Sequence, residues 1–510
     1  MGANLFIIEA PGKRRSLFDV LRQAGVRDIE IEATVGHLGS NPDGFKPLAI
    51  DAQYRETAYR IQPSKEHLAL RIAAKAVDAK RIYLATDDDQ EGDVIARDAL
   101  QFCIPEAHRH KVMRLRLKAL AKSEVAVALS EAKPFDQLSA AQGDARRIID
   151  RLIGSLSGDA GAVGRVQGSL LVALADQRPV VGVVTHTLAA ADGKGDFAPK
   201  VPVLAGQLVP EALAVDTEVL VDTSSRGKMA HAAWNHDRIL LAASLRTGAT
   251  LDAVQSAMQA LYERGRLSYP RAKDTAITPE SARRLAMVAR ANGATFRSEL
   301  FGAVRALTGP HAHEAPNPTV LDVPVNRSLG IMPLEEQVLA ILTHNLIDNG
   351  LEARIDRPQV GDLDPKLQTM NWARVTAVGT RLWASEPERA GFQAWTREQS
   401  LLHFMAKNDL GRPSTIITHI DKFLTRSLVT QAFDFTEKGR EWSANVSALL
   451  GHRNISKMIE AFIEKNRNPP SQMVAEMIEL FDLHAARGAV EQKSELAHDE
   501  QDEIAAGYVP

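Results

Sequence analysis

The stretch Tyr83-Leu84-Ala85-Thr86-Asp87-Asp88-Asp89-Gln90-Glu91-Gly92 decides the reading of this chain. An apolar run, Arg81 to Ala85, stops at three consecutive aspartates, and a helical pattern, Glu91 to Phe102, begins directly after them. A strand that delivers carboxylates to the start of a helix is the unit from which a parallel α/β sheet is built. The pattern recurs on either side. Leu5 to Ile8 reads as a strand, Arg14 to Gln23 as a helix, Ile29 to Val35 as a strand, His67 to Asp78 as a helix, and Val112 to Leu117 as a strand. The first 125 residues therefore predict a doubly wound parallel sheet, with ligand chemistry at the carboxyl ends of its strands, where Glu9 and Asp87 fall.

In an extended segment, residues two apart point the same way, so Asp87 and Asp89 can present oxygen ligands to one cation. Hard ligands of this kind suit Mg²⁺ shared with a substrate phosphate, and Glu9 at a neighbouring strand end supplies a third carboxylate. The alternative is a helix cap with acidic residues favoured by the helix dipole. Glu9 is followed by Ala10-Pro11-Gly12-Lys13, a tight turn and a cation that either stabilises a phosphoryl transition state or simply starts a helix. Beside a cation and a second carboxylate, Glu9 is a candidate general acid. Far downstream, Tyr269-Pro270-Arg271 sets a phenol two residues from a guanidinium, a nucleophile with a charge partner, although a lone tyrosine is usually a packed ring.

Length and composition set the frame. At 510 residues the chain exceeds one core, and 45% hydrophobic with 25% charged residues is ordinary globular composition, which excludes disorder and fibre. No apolar run reaches the roughly 18 residues of a membrane span, and one cysteine, Cys103, excludes an internal disulfide framework and thiolate zinc clusters. The expectation is a cytoplasmic protein. The net charge of −3 is uneven: from Gly488 the tail carries six carboxylates against Lys493, leaving +2 on the rest. Basic clusters at Arg109 to Lys122 and at Arg146, Arg147 and Arg151 are read either as a polyanion surface or as solvated faces. After residue 125 the periodicity turns helical to about 175, β-rich over Val181 to Asp237, helical over Leu251 to Gly350, strand-like over Arg357 to Trp395, and helical from Leu401. This order suggests a chain that leaves a domain and returns to it.

Eight segments in one order together resemble type IA DNA topoisomerases. They are Leu5 to Lys13; Ala33-Thr34-Val35-Gly36-His37; Tyr83 to Gly92; Ala145 to Gly154; Gly164-Arg165-Val166-Gln167; Leu261 to Arg271; Ala312-His313-Glu314-Ala315 with Pro318-Thr319; and Gly411-Arg412-Pro413-Ser414-Thr415. The resemblance implies a multidomain α/β and α+β torus. Its parts would be a Toprim domain at 1–125, a helical gate at 126–175 with 400–455, a β-rich arch at 176–247 with 356–399, a tyrosine-bearing helical domain at 248–355, and a C-terminal helical segment with an acidic tail at 456–510. It implies attack by Tyr269 on single-stranded DNA, a 5′-phosphotyrosine, strand passage, and relaxation of negatively supercoiled DNA without ATP. Lys13 and Arg271 would stabilise the transition state, and Glu9 would assist proton transfer. Asp87 and Asp89, with Glu9, would hold Mg²⁺, while His37, Arg146, Arg147, Asp150, Arg165, Gln167, His313 and Arg412 would position the strand. The expected protein is a monomer that binds DNA, with no zinc and no membrane partner.

The chain departs from the family pattern at Gln90, where arginine is usual, and at Ala119, where glutamate is usual. Ala272-Lys273 replaces Thr-Asp, Asn317 an arginine, and Ser155 a tyrosine. The cysteine-rich zinc modules are missing, and Tyr269-Pro270-Arg271 leans toward the topoisomerase III branch. Two competing readings are a Toprim nuclease or primase, which would use the carboxylates without a tyrosine, and a DNA-binding homologue with impaired catalysis.

Overall fold

The computed structural model describes residues 2–483 and 485, apart from 157–163, 231, 308–310, 326, 362, 383–387 and 452. The acidic tail, and Gly158 and Gly161 in the stretch read as helical up to about residue 175, lie outside the described residues. The chain divides into two units, residues 1–176 with 435–510, and residues 177–434.

The first unit is built on a four-stranded parallel sheet in the spatial order Ile29–Ala33, Asn4–Ile8, Arg81–Leu84, Val112–Arg114. Successive residues of the central strand serve opposite faces, as the strand period requires. Leu5 and Ile7 pack with Ile82 and Leu84 against Leu68, Ile72 and Ala76 of one helix and Ala96, Ala99 and Cys103 of another. Phe6 and Ile8 join Tyr83 and Ala85 against Leu17, Leu21 and Val125 on the other side. Helices on both faces make the strands continuously apolar rather than alternating. The helices Arg14–Gln23, Glu66–Asp78 and Gln90–Cys103 fall within a residue of their expected positions. Two strands are shorter than their apolar runs suggested. One ends at Ala33, because Val35 adopts a left-handed backbone (φ 56°), and the other at Arg114.

Helices Ala141–Ser155 and Arg165–Asp176 pack with Glu437–Leu450, Ile455–Lys465 and Pro470–Leu480, which the chain supplies on its return at Phe435.

The second unit holds a three-stranded antiparallel sheet of Gly391–Ala394, Val180–Thr185 and Lys200–Leu204, and another of Val221–Lys228, Glu352–Pro358 and Arg374–Ala377. Leu188, Phe197, Val219 and Trp372 form an apolar cluster here. Its helices include His236–Thr247, Leu251–Glu263, Pro279–Ala291 and Leu334–Asn349. Arg397–Lys407 packs on the strand Val180–Thr185 and on the helix His236–Thr247, so it and Ile416–Thr425 belong to this unit rather than to the returning segment.

Candidate active site

At the carboxyl end of the central strands the Lys13 ammonium pairs with the Asp87 carboxylate, and both side chains are buried. Asp89 caps the following helix: its Oδ1 accepts from the Gly92 amide at 2.7 Å. Only glycine fits at position 92, since a Cβ there would lie 2.1 Å from the Asp87 carbonyl oxygen. The acidic loop is held from below by Arg114. Its guanidinium donates to the carbonyls of Leu84 and Thr86 (both 2.9 Å) and Asp87 (2.8 Å), and to Asp93 Oδ1 (2.9 Å). Arg116 pairs with Asp88 and, at 2.8 Å, with Asp93. The basic cluster around residues 109–122 thus contributes two arginines to the underside of the site, not only to a solvated face. Sequence reading missed Arg114 because a strand-end arginine carries no mark of what it will face.

The loop after the neighbouring strand approaches from the side. Val35 donates its amide to the Glu9 carbonyl at 2.9 Å, and Lys65 Nζ caps the Val35 carbonyl at 2.6 Å. His37 Nε2 lies 3.1 Å from Glu91 Oε2. Burial disfavours the imidazolium, but the hydrogen bond and charge of Glu91, with Asp98 and Glu9 beyond, outweigh it and raise the His37 pKa.

In the second unit Tyr269 is 3% exposed. Its ring lies 4.2 Å from the His313 ring, centroid to centroid, and meets Tyr262 edge-on at 5.7 Å. Asn317 secures the preceding residue: Ser268 donates to its carbonyl at 2.9 Å, and the Asn317 amide returns a bond to Ser268 Oγ at 3.0 Å. Glu314 accepts from Thr278 N (2.9 Å) and Ser281 Oγ (2.8 Å), which fixes the start of the helix Pro279–Ala291. The structure thus brings Tyr269 and His313 together. Arg271 is half-buried within this segment, and Arg412 is half-buried before the helix Ile416–Thr425, where its carbonyl accepts from Thr415 and Ile416.

Comparison with known proteins bears on both units. A model of the Toprim domain family matches residues 4–120. Residues 4–120 form a Toprim domain. The structure of full-length topoisomerase I from Thermotoga maritima superposes with a TM-score of 0.62, covering 94% of this chain and 89% of that one at 16% identity. The chain therefore has the topoisomerase I fold, which bears out the resemblance to type IA topoisomerases read from its motifs. DNA topoisomerase 1 of Campylobacter jejuni is 29% identical over 185 residues, 35% of this chain and 26% of that protein. A plasmid DNA topoisomerase I of Xylella fastidiosa is 26% identical over 307 residues, 54% of this chain and 45% of that protein. The matches thus take in less than half the length of either relative.

A divalent metal fits the donor chemistry of the Toprim site, because Asp87 and Asp89 offer hard carboxylate oxygens. Among the described residues no group of three His, Cys, Asp or Glu side chains is gathered closely enough to hold an ion by itself. Glu9, Asp87 and Asp89 are thus not a preformed three-carboxylate cage. Lys13 lies on Asp87, and one oxygen of Asp89 serves the helix cap.

The arginines expected to position the strand are paired inside the Toprim-bearing unit. Arg146 is buried against Glu460 (3.0 and 2.8 Å) and Gln90 Oε1 (2.6 Å), while buried Arg165 binds Asp150 at 2.7 Å and Glu460 at 3.0 Å. Arg147, half-buried, pairs with Glu56 and Asp144 and lies 4.0 Å over the Tyr59 ring. Gln167 is buried in the same helix as Arg165. Arg146 and Arg165 thus join helices to one another, and Arg147 ties its helix to the loop that carries Glu56 and Tyr59. Gln90 has a structural place too, since it donates to Gln142 at 2.8 Å while accepting from Arg146. Ser155 donates back to the Leu152 carbonyl, and Ala119 and Ala272 are buried.

Proposed function

We propose that this chain is a type IA DNA topoisomerase that cleaves one strand through Tyr269, passes another, and reseals the break, relaxing negatively supercoiled DNA without ATP. The observation that carries the reading is the topoisomerase I fold over 94% of the chain, with Tyr269 in its motif segment and the Lys13–Asp87 pair at the Toprim strand ends.

In the forward step Tyr269 Oη attacks phosphorus as its phenolic proton passes to water. The Oη–P bond forms, the P–O3′ bond breaks, and the O3′ oxyanion takes a proton from Glu9. Resealing is the reverse, and it needs no nucleotide because the phosphotyrosine retains the bond energy. Lys13 and Arg271 would stabilise the charge that builds on the non-bridging oxygens. Mg²⁺, when held by Asp87 and Asp89 with Glu9, supplies further positive charge at the phosphate. Strand binding falls to His37 and His313, and to Arg146, Arg147, Asp150, Arg165, Gln167 and Arg412. Tyr269 is buried, so its hydroxyl has to be uncovered before it meets DNA. A strand already separated from its complement is the substrate such a site requires, which favours negative supercoils. The working form is a cytoplasmic monomer.

Incubating the protein with an end-labelled single-stranded oligonucleotide and Mg²⁺, followed by denaturing electrophoresis, tests the reading. A protein adduct on the 5′-phosphate side is expected, lost in Tyr269→Phe while strand binding stays within about threefold of wild type. Cleavage by the Phe variant, or cleavage that leaves no protein adduct, would point instead to a Toprim nuclease, and a 3′-linked adduct would contradict the topoisomerase reading. Binding with no cleavage would favour a catalytically impaired homologue, for which the structural use of Gln90 and Asn317 in place of the usual arginines speaks.

A further inference from the structure

His236 opens the helix His236–Thr247, directly after the N-cap Asn235, whose side chain accepts from Arg238 N at 3.2 Å. Neither residue belongs to any segment that suggested chemistry in the sequence. In the fold His236 lies under the tyrosine loop and holds it twice. Its backbone N–H donates to the Ala272 carbonyl at 3.0 Å, and its ring Nδ1 lies 2.9 Å from the Pro270 carbonyl oxygen. A carbonyl only accepts, so Nδ1 carries the proton and Nε2 is the bare nitrogen of a neutral ring. Nε2 is buried and has no hydrogen-bond partner among the described residues, and the residue as a whole is 1% exposed. Burial holds its pKa below the ordinary histidine value, against the opposing pull of Asp237 and the Pro270 carbonyl.

The two carbonyls that His236 holds stand on either side of Arg271, and Pro270 follows Tyr269 with its φ locked by the ring. Upstream, Ser268 is tied to Asn317 by the paired bonds described above. The segment carrying the phenol and the guanidinium is thus anchored before Tyr269 by Asn317 and after it by His236. A surface histidine could not do this, because water would compete for the carbonyl. A dry, neutral imidazole presenting one N–H is a directional anchor.

We propose that His236 is a positioning residue for the cleavage reaction: its Nδ1–H fixes the Pro270 peptide, and with it the relative placement of Tyr269 and Arg271. The inference rests on the topoisomerase reading above for its kinetic consequence, but not for the structural one. Orientation of a nucleophile and its charge partner affects the chemical step far more than capture of the strand.

Three variants test it. Asparagine can place its amide N–H near the Nδ1 position, glutamine places it near Nε2, and alanine places none. At saturating oligonucleotide, His236→Ala and His236→Gln should form the Tyr269 adduct about tenfold more slowly than wild type, and His236→Asn within about threefold. All three should bind uncleaved strand within about twofold of wild type. Hydrogen exchange of the segment 264–275 should quicken in the Ala and Gln variants and stay at the wild-type rate in the Asn variant. Wild-type cleavage by His236→Ala, failure of His236→Asn to rescue, or losses confined to strand affinity would each overturn the proposal. If the wild-type protein forms no adduct, the topoisomerase reading fails, and the exchange data alone decide: unchanged exchange in His236→Ala removes the anchor, and quickened exchange restored by Asn keeps it.

Discussion

Lys13 and Asp87 form a buried ion pair at the strand ends of the Toprim sheet, although 74 positions separate them in the chain. Neither charge has much access to water, so each is stabilised by the other. The cation and a carboxylate of the site are thus in direct contact.

Removing Lys13 takes the ammonium away from the buried Asp87 carboxylate. Lys13→Met should therefore destabilise the protein by about 3 kcal/mol in urea unfolding, and the double variant Lys13→Met/Asp87→Asn should recover more than half of that loss. A single-variant cost below about 1 kcal/mol would show that the pair is open to solvent.

Asp89 has two tasks that substitution can separate. Asp89→Ala removes the cap on Gly92 and should cost about 1 kcal/mol, whereas Asp89→Asn keeps a capping oxygen and should cost only a few tenths. Both remove the charge, so both should raise the Mg²⁺ concentration needed for half-maximal cleavage. If Asp89→Asn cleaves at the wild-type Mg²⁺ requirement, Asp89 is a cap and not a ligand.

His37 gives the Toprim domain a pH dependence of defined sign. Its pKa is raised above the ordinary 6.5 by Glu91, despite opposing burial. The pair therefore stabilises fully below the unfolded value, and that contribution is lost as pH rises through the folded pKa. With 39% of the His37 side chain exposed, solvent screening keeps the effect small, below about 1 kcal/mol. A proton titration of the His37 ring followed by NMR should give a midpoint above 6.5, and Glu91→Gln should lower it.

Val35 holds a β-branched side chain in the left-handed region (φ 56°) while 54% exposed, so it pays backbone strain without filling the core. Val35→Gly relieves that strain and should stabilise the protein by about 1 kcal/mol, net of the extra freedom glycine gives the unfolded chain. A lower melting temperature in the variant would mean that the side chain contributes packing the fold needs.

Much of the Toprim domain was legible because its signals are local. Leu5 to Ile8 is a short apolar run between a polar start and Glu9, and Arg14 to Gln23 repeats its apolar residues at helical spacing; both fold as their patterns require. The motif residues were legible too, since Asp87, Asp89 and Tyr269 are chemically distinctive. The two strands that stop early show the limit. Ile29 to Val35 is apolar enough to continue, but the turn that brings Val35 to the Glu9 carbonyl is set by a neighbouring strand.

What only the tertiary structure decided is where the charges went. Arg146 and Arg165 meet at Glu460, more than 290 residues downstream, and become buried joints between helices instead of a cationic surface. Arg114 turns under the acidic loop, Gln90 joins two helices, and His236 grips a tyrosine loop from a helix start that carried no motif. The amino-acid sequence by itself determined the strands, the helices and the inventory of reactive groups, because hydrophobic periodicity and side-chain chemistry are properties of neighbouring residues. Pairing and burial are set by which elements come to lie side by side, and the same guanidinium is a ligand for phosphate in water and a structural joint once a carboxylate excludes the solvent around it.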